Sequence, residues 1–252
     1  MTDNSSVGFS RKTIFLEAFK YSVPVLLGYV TLGIAFGLVA AGTGYPWWLA
    51  LLMSVWMYAG AGQFFAIGLF AVGTTIWEVC LIQLVLNIRH AAYSFSMLNK
   101  FSGPFKPYLI FSLSDETFAL FSSMPEFSAE PEGRGSSPEL MKEKRHLFMV
   151  YVAVLDQIYW VSGTLLGAFT GALIPFDMKG ISFALTALFV VLMMEQIKRI
   201  KRPGVFIVSA AAALLGVFFL PGTISLLTAL ALALFLSAIV ERNWLKRSED
   251  HE

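Results

Sequence analysis

Apolar stretches of about 20 residues alternate with short polar segments along most of the chain, and helices of that length cross the core of a bilayer. The pattern predicts an all-α polytopic membrane protein with about eight transmembrane or re-entrant helices. The predicted spans are 21–41, 47–69, 74–97, 108–124, 147–174, 181–200, 204–220 and 223–240. The fourth span is the weakest, since Asp115 and Glu116 lie in its middle, and we expect a re-entrant segment or a short broken helix there.

The polar segments mark termini and loops within one membrane domain. We predict a single integral membrane domain at 1–252, with a cytoplasmic N-terminal segment at 1–20. The segment 125–146, PEFSAEPEGRGSSPELMKEKRH, is rich in Pro, Gly, Ser and charge and is predicted to be a hydrophilic cytoplasmic loop. The first apolar run, 21–41, is long enough to span and further runs follow it, so we interpret it as a retained helix rather than a cleaved signal.

Basic residues set the predicted orientation, because cytoplasmic loops carry an excess of Lys and Arg. Such clusters occur in the N-terminal segment and at 142–145, 198–202 and 242–247. Eight spans with both termini in the cytoplasm place all of these clusters inside. Lys100 and Lys106 are exceptions, since they would fall outside.

Composition narrows the class of protein. The chain is 14% charged, against about 25% for a soluble domain. The net charge of +1 gives no support for nucleic-acid binding, and Cys80 is the only cysteine, which excludes an intramolecular disulfide. Nothing has the spacing of metal ligands or of a Gly-rich phosphate loop, so we expect no metal, no cofactor and no nucleotide-driven pump within this chain.

A polar stripe follows the third span, TTIWEVCLIQLVLNIRHAAYSFSML. Gln83, Asn87, His90 and Ser94 are spaced by four, three and four positions, which places them on one helical face. Arg89 lies about 100° around the helix from His90, and its planar guanidinium can bind a carboxylate. We interpret Arg89 as an anchor for an anionic substrate group or for an acidic partner helix. The alternative is that Arg89 extends toward the membrane interface and that His90 only packs.

Acidic residues inside apolar segments form a second set of candidates. Each costs roughly 2.5–3.5 kcal/mol at the centre of a membrane helix if it is unpaired, so we expect them to face a cavity or a partner. Asp115 and Glu116 are the candidate proton-coupling residues, and the alternative is that both are ordinary acids in a hydrated loop. Asp156 is expected to bind a substrate ammonium group or to pair with Arg89.

The stretch MYAGAGQFFAIGLF, residues 57–70, places two glycines and an amide inside an apolar run. Each Gly costs a helix interior about 1 kcal/mol relative to Ala. We interpret Gly60 and Gly62 as loosening the helix so that freed backbone groups and Gln63 can bind a zwitterion at membrane depth. The alternative is that the glycines accept a bulky neighbour such as Trp56 or Phe36.

Small residues recur at four-residue spacing in two predicted spans, a pattern that lets membrane helices approach closely. The first span contributes Gly33, Gly37 and Ala41, and the fifth contributes Gly163, Gly167 and Gly171. The similar spacing could reflect a duplicated half, which is common in transporters, but ordinary helix packing is the simpler interpretation.

Four of these stretches resemble the AzlC family, the larger subunit of bacterial branched-chain amino acid exporters. They are GYVTLGIAFGLVA (28–40), YAGAGQFFAIGLF (58–70), NIRHAAYSFSM (87–97) and SDETFAL (114–120). The resemblance implies efflux of valine, leucine and isoleucine, with methionine as a further candidate. It also implies a small membrane partner of the AzlD type.

Together these observations predict a secondary-active amino acid exporter, driven by protons, in the bacterial inner membrane. The substrate-binding candidates are Gly60, Gly62, Gln63, Asn87, Arg89, His90 and Asp156. A passive channel or facilitator for small zwitterions is the main alternative. An intramembrane enzyme using Asp115 and Asp156 is a weaker alternative because neither lies in a recognisable catalytic motif, and we therefore expect no enzymatic activity.

Overall fold

The computed structural model describes residues 10–123, 138–173 and 203–219, together with isolated helical positions between 190 and 236. Within these segments all regular structure is helical. The helices are α1 (Arg11–Gly42), α2 (Trp47–Leu52), α3 (Gly60–Ala71), α4 (Ile76–Met97), α5 (Lys106–Phe111), α6 (Asp115–Ser123), α7 (Pro138–Leu173) and α8 (Pro203–Phe219). The predicted spans 181–200 and 223–240 lie outside the continuously described residues.

The chain divides into two compact units. The first comprises Met1–Ile67 and Asn87–Ile181, and the second comprises Gly68–Leu86 and Ser182–Glu252. All candidate site residues belong to the first unit. In the second unit, α4 begins with a capping box, in which Glu78 accepts hydrogen bonds from the backbone and the hydroxyl of Thr75.

Helices α1 and α7 pack in parallel and form the centre of the first unit. Near their N-terminal ends the rings of Phe15 and Tyr151 lie 5.6 Å apart. About two turns further along each helix, the Ser22 hydroxyl lies 3.0 Å from the Tyr159 hydroxyl. Helices α1 and α7 are both long and apolar enough to cross a membrane. The parallel direction agrees with the predicted topology, which gives the first and fifth spans the same orientation.

Glycine lets the two helices touch backbone to backbone. A Cβ added at Gly33 would lie 2.8 Å from the carbonyl oxygen of Trp160, and one added at Gly163 would lie 2.6 Å from that of Val30. Gly37 meets the carbonyl of Thr164 even more closely. The prediction that the two stripes of small residues allow close helix approach is confirmed, and here the stripes face each other.

We expect Gly37→Ala to destabilise the protein by about 1–3 kcal/mol, because the added methyl group meets a backbone carbonyl that cannot rotate away. Gly28→Ala is the matched control in the same helix, since a Cβ there meets nothing within 4 Å. Because Ala favours a helix interior, the control is expected to be neutral or slightly stabilising. Thermal unfolding in detergent measures both, and equal melting temperatures for the two variants would contradict the tight contact.

Two predicted spans are broken. The segment predicted as one span at 47–69 consists of α2, a π-helical turn at Met53–Met57, a break at 58–59, and α3. The sequence interpretation placed the loosened backbone at Gly60 and Gly62, but both lie in the first turn of the regular helix α3, and the break precedes them. The fourth predicted span is a broken helix, as anticipated: α5 and α6 are separated at 112–114.

Two helices begin before the predicted spans to which they correspond. Helix α7 begins at Pro138, so the last nine residues of the segment predicted as a loop at 125–146 are helical. Residues 125–137 lie outside the described residues. Helix α1 begins at Arg11, inside the segment 1–20 that was assigned to the cytoplasm. Near the N-terminal ends of these two helices, Nζ of Lys144 on α7 lies 3.7 Å from Oε2 of Glu17 on α1.

Candidate functional site

A side chain from α7 holds the break in the second predicted span. Where the chain departs from the regular helical pattern, backbone carbonyls lose their usual hydrogen bonds. In a membrane such groups need another partner. The carbonyl of Val55 accepts a hydrogen bond of 3.0 Å from Nε2 of Gln157. The Oε1 atom of Gln157 in turn accepts a bond of 2.8 Å from the Tyr108 hydroxyl. Gln157 therefore connects the π-helical turn to α5.

Tyr58 occupies the break in a left-handed conformation, with φ of 40° and ψ of 46°. This conformation costs a non-glycine residue on the order of 1–3 kcal/mol and persists only where packing imposes it. The side chain is buried between the rings of Tyr29 and Phe111, with centroid distances of 6.5 and 6.3 Å. Its hydroxyl makes no hydrogen bond to the described residues.

The break in the fourth predicted span places a capped helix end against α7. Ser114 caps α6, because its Oγ accepts the backbone N–H of Thr117 at 3.0 Å. Asp115 and Glu116 follow in the first turn, where negative charge is favourable next to the positive end of the helix dipole. The cap thus fixes which way each carboxylate points.

Asp156 lies fully buried on α7, opposite this capped end. Its Oδ2 accepts a hydrogen bond of 2.8 Å from the Thr117 hydroxyl. Its Oδ1 is buried and makes no hydrogen bond within the described part of the chain. The carboxylate therefore has one satisfied oxygen and one that is available to a ligand.

Arg89 contacts the first of the two adjacent acids. Its guanidinium lies 2.8 Å from Oδ2 of Asp115, and the other carboxylate oxygen accepts a hydrogen bond of 2.7 Å from the Tyr93 hydroxyl. The tyrosine ring stacks on Phe118 at 4.4 Å. This geometry corresponds to the acidic partner helix among the roles considered for Arg89. The suggested pair of Arg89 with Asp156 does not form.

Glu116 points to a different helix. Its carboxylate accepts a hydrogen bond of 2.8 Å from the hydroxyl of Tyr29 on α1, and it remains partly exposed. Asp115 and Glu116 thus have separate partners, as their angular separation on a helix predicts.

Gln63 is completely buried on α3. Its Nε2 donates to Ser54 at 3.0 Å, and the Ser54 hydroxyl lies 2.9 Å from that of Thr164. Its Oε1 makes no hydrogen bond to any described residue. Nearby, the ring of Trp160 fills the space at Gly60, 3.2 Å from where a Cβ would lie. Gly60 therefore does accept a bulky neighbour, although the neighbour is neither Trp56 nor Phe36.

The remaining candidates lie on α3 and α4. Gly62 is buried one residue before Gln63. Asn87 and His90 are half-buried, like the rest of the predicted polar stripe, and the ring of His90 lies 6.1 Å from that of Tyr93. His90 is thus a neighbour of the Arg89–Asp115 pair.

Sequence reasoning missed several residues of this site: Tyr29, Tyr58, Ser114, Thr117 and Trp160. Only the capping residue carried a usable signal, since a serine followed by two acids before an apolar run is typical of a helix N-terminus. The others are ordinary members of apolar helices until the neighbouring helices are in place.

Buried carboxyl and amide groups beside broken helices are typical of membrane transporters. The model of the AzlC protein family matches residues 24–174, more than half of the chain, and the chain therefore belongs to the AzlC family. The prediction from the sequence motifs is confirmed.

Several relatives support this assignment. An uncharacterized membrane protein of Helicobacter pylori is 36% identical over 228 residues, covering 88% of this chain and 94% of its own. The branched-chain amino acid transport protein AzlC of Bacillus subtilis is 30% identical, covering 75% of this chain and 70% of its own. The inner membrane protein YgaZ of Escherichia coli is 25% identical, covering 91% of both chains. No solved structure matches the chain.

Proposed function

We propose that the protein is a secondary-active exporter of branched-chain amino acids, driven by the proton gradient, in a bacterial inner membrane that it crosses several times. The family assignment and the printed name of the Bacillus subtilis relative support the substrate class. The names of the other relatives support the membrane location. The resemblance to the AzlC family further suggests that a small AzlD-type subunit completes the transporter.

The observation that carries the proposal is a set of buried polar atoms that lack partners within the described segments. Asp156 Oδ1 and Gln63 Oε1 are acceptors, Trp160 Nε1 is a donor, and the Tyr58 hydroxyl can be either. Buried polar groups are almost always hydrogen-bonded, so a group of exceptions needs an explanation such as a missing ligand. Tyr58 lies at the break in the second predicted span, Gln63 lies in the first turn of α3 just after it, and Asp156 and Trp160 lie one turn apart on α7.

This set of atoms matches an amino acid. The ammonium group of a zwitterion needs acceptors, and the carboxylate of Asp156 would pair with its positive charge while Gln63 adds a second acceptor. The substrate carboxylate needs donors, which Trp160 and Tyr58 can supply. Asp156 thereby takes the first of the two roles considered for it from the sequence.

An apolar cluster lies next to these polar groups. Phe36 packs against Phe64 and Trp160 at ring distances of 5.4 and 6.4 Å. Such a cluster would hold a branched aliphatic side chain by contact alone. One methylene is worth only about 1–3 kcal/mol in a pocket of this kind, so valine, leucine, isoleucine and methionine are expected to compete with one another.

The decisive experiment is counterflow of labelled valine in proteoliposomes, with and without a pH gradient. We expect exchange at equal pH, accumulation against the concentration gradient when a pH gradient is imposed, and loss of accumulation with a protonophore. Exchange that ignores the pH gradient would make the protein a passive facilitator. Absence of exchange for valine, leucine and isoleucine, with and without an added AzlD-type subunit, would contradict the proposal.

A further inference from the structure

Three hydroxyl groups join the carboxylates of Glu116 and Asp156 in an unbroken row. Tyr29 contacts Glu116 at 2.8 Å and also contacts Ser114. Ser114 contacts the Thr117 hydroxyl at 2.9 Å, and Thr117 contacts Asp156 at 2.8 Å. Each distance is that of a normal or short hydrogen bond.

The row holds one proton fewer than it has contacts. Four hydrogen bonds are made between the two carboxylates and the three hydroxyls, but the three hydroxyls supply only three protons. When both acids are ionised, one of the four contacts therefore lacks a proton. A single proton bound at either carboxylate completes the row.

The two ends of the row differ in exposure. Thr117 and Asp156 are fully buried, and Ser114 and Tyr29 are less than a tenth exposed, whereas Glu116 is partly exposed. A proton therefore has access to the row at Glu116, and the row leads from there to the buried acid.

We propose that Tyr29, Ser114 and Thr117 form a proton relay between Glu116 and Asp156. A proton on Glu116 passes to Tyr29, Tyr29 passes its own proton to Ser114, Ser114 to Thr117, and Thr117 to Asp156. Every hydroxyl ends with one proton, and the only net change is that the proton has moved from Glu116 to Asp156. The backbone N–H of Thr117 stays bonded to Ser114 in both states, so the row keeps its geometry.

The relay rests on the proposed function and explains how the proton and the amino acid would be coupled. Asp156 is also the carboxylate proposed to pair with the substrate ammonium group. A protonated carboxyl has no charge for that pair, so arrival of the proton favours release of the substrate. Because Asp156 holds either the proton or the substrate and never both, the two are carried in opposite directions, which is antiport.

Other titratable groups surround the row without being part of it. Tyr58, Tyr108 and Tyr159 lie close enough to Asp156 to interact electrostatically with its carboxylate. At the other end, Arg89 and Tyr93 are engaged by Asp115, the residue before Glu116. Asp115 makes no contact with the three hydroxyls and is therefore a positioning residue for the exposed end.

Thr117→Val tests the relay, since valine has the shape of threonine and lacks the hydroxyl. We expect the ratio of proton-driven valine accumulation to valine exchange at equal pH, both measured on the same proteoliposomes, to fall by about tenfold or more, as for loss of a proton-transfer group. Tyr29→Phe is expected to lower this ratio in the same way, and Thr117→Ser is expected to restore it. Ser22→Ala, which removes a buried hydroxyl of α1 outside the row, is the matched control.

A second measurement does not require transport. Infrared difference spectra of the purified protein, recorded during a pH titration, report the C=O stretch of protonated carboxyl groups. We expect one shared proton, so that Glu116→Gln and Thr117→Val each alter the band that Asp156→Asn removes. If Thr117→Val and Tyr29→Phe both keep wild-type accumulation and the wild-type band, the relay is wrong. Absence of exchange in the wild type would instead contradict the proposed function, and the infrared result would still decide on the relay.

Discussion

Asp156→Asn is expected to weaken valine binding by about 10- to 100-fold, because a hydrogen bond to a charged group contributes about 1.5–3 kcal/mol and 1.4 kcal/mol is a factor of ten. Asparagine preserves the shape and can still accept the hydrogen bond from Thr117, so the fold is expected to remain intact. The change removes the negative charge and puts an NH2 donor in place of the unpartnered oxygen, so that the ammonium group loses both its counter-charge and its acceptor. Equilibrium binding of labelled valine to purified protein measures the change.

Two other variants separate substrate binding from proton transfer. Glu116→Gln lies at the opposite end of the hydroxyl row and is expected to leave valine affinity unchanged. Ser162→Ala is the control on the same helix, since that hydroxyl bonds to the backbone carbonyl of Tyr159. Wild-type affinity in Asp156→Asn would show that this carboxylate does not meet the ammonium group.

Sequence reasoning located well the helices whose position follows from the length of one apolar run. The apolar run at 21–41 lies within α1, and the run at 74–97 corresponds closely to α4. The glycine spacing also correctly predicted close helix packing, because close approach requires small residues whatever the partner helix is. The sequence could not show that the two stripes meet, since pairing is a property of two helices.

The break in the second predicted span lies a few residues before the position predicted from the sequence, and the difference has a physical reason. Gly60 and Gly62 have poor helix propensity, which suggested that the backbone loosens there. In the structure Trp160 fills the space at Gly60, so the helix remains regular at the glycines. The break occurs instead at Tyr58, where packing between Tyr29 and Phe111 holds a left-handed conformation. Packing of this kind is not visible in a local propensity.

The candidate acids were found because charge inside an apolar segment is costly and therefore rare. Tyr29 has no distinguishing feature in the sequence. The Ser and Thr hydroxyls that connect the acids were missed because such hydroxyls often bond to the backbone of their own helix. Ser22, Thr31 and Ser94 do so here. Only the capped end of α6, brought against α7 by the break in the fourth span, turns Thr117 toward Asp156.

Breaking the Arg89–Asp115 pair is expected to destabilise the protein. Arg89→Gln and Asp115→Asn are each expected to lower the free energy of unfolding by about 2 kcal/mol, between the values for exposed and fully buried pairs. The pair is intermediate in burial, with side-chain exposures of 38% and 17%. Each single change leaves the other charge without its partner. The double variant Arg89→Gln, Asp115→Asn is expected to recover at least half of the loss, because no charge is then left unpaired.

The wild type, the two single variants and the double variant together decide whether Arg89 holds Asp115 or binds the substrate carboxylate. If Arg89 serves only to hold α6 through Asp115, transport activity should follow stability, and the double variant should transport better than either single one. If Arg89 instead binds the substrate carboxylate, valine affinity should fall in both proteins that carry Arg89→Gln and stay at the wild-type value in Asp115→Asn. Unfolding curves in detergent and valine binding, measured on the same preparations, give both quantities. Tyr93→Phe is the control, since it removes a neutral hydrogen bond to Asp115 and leaves both charges in place.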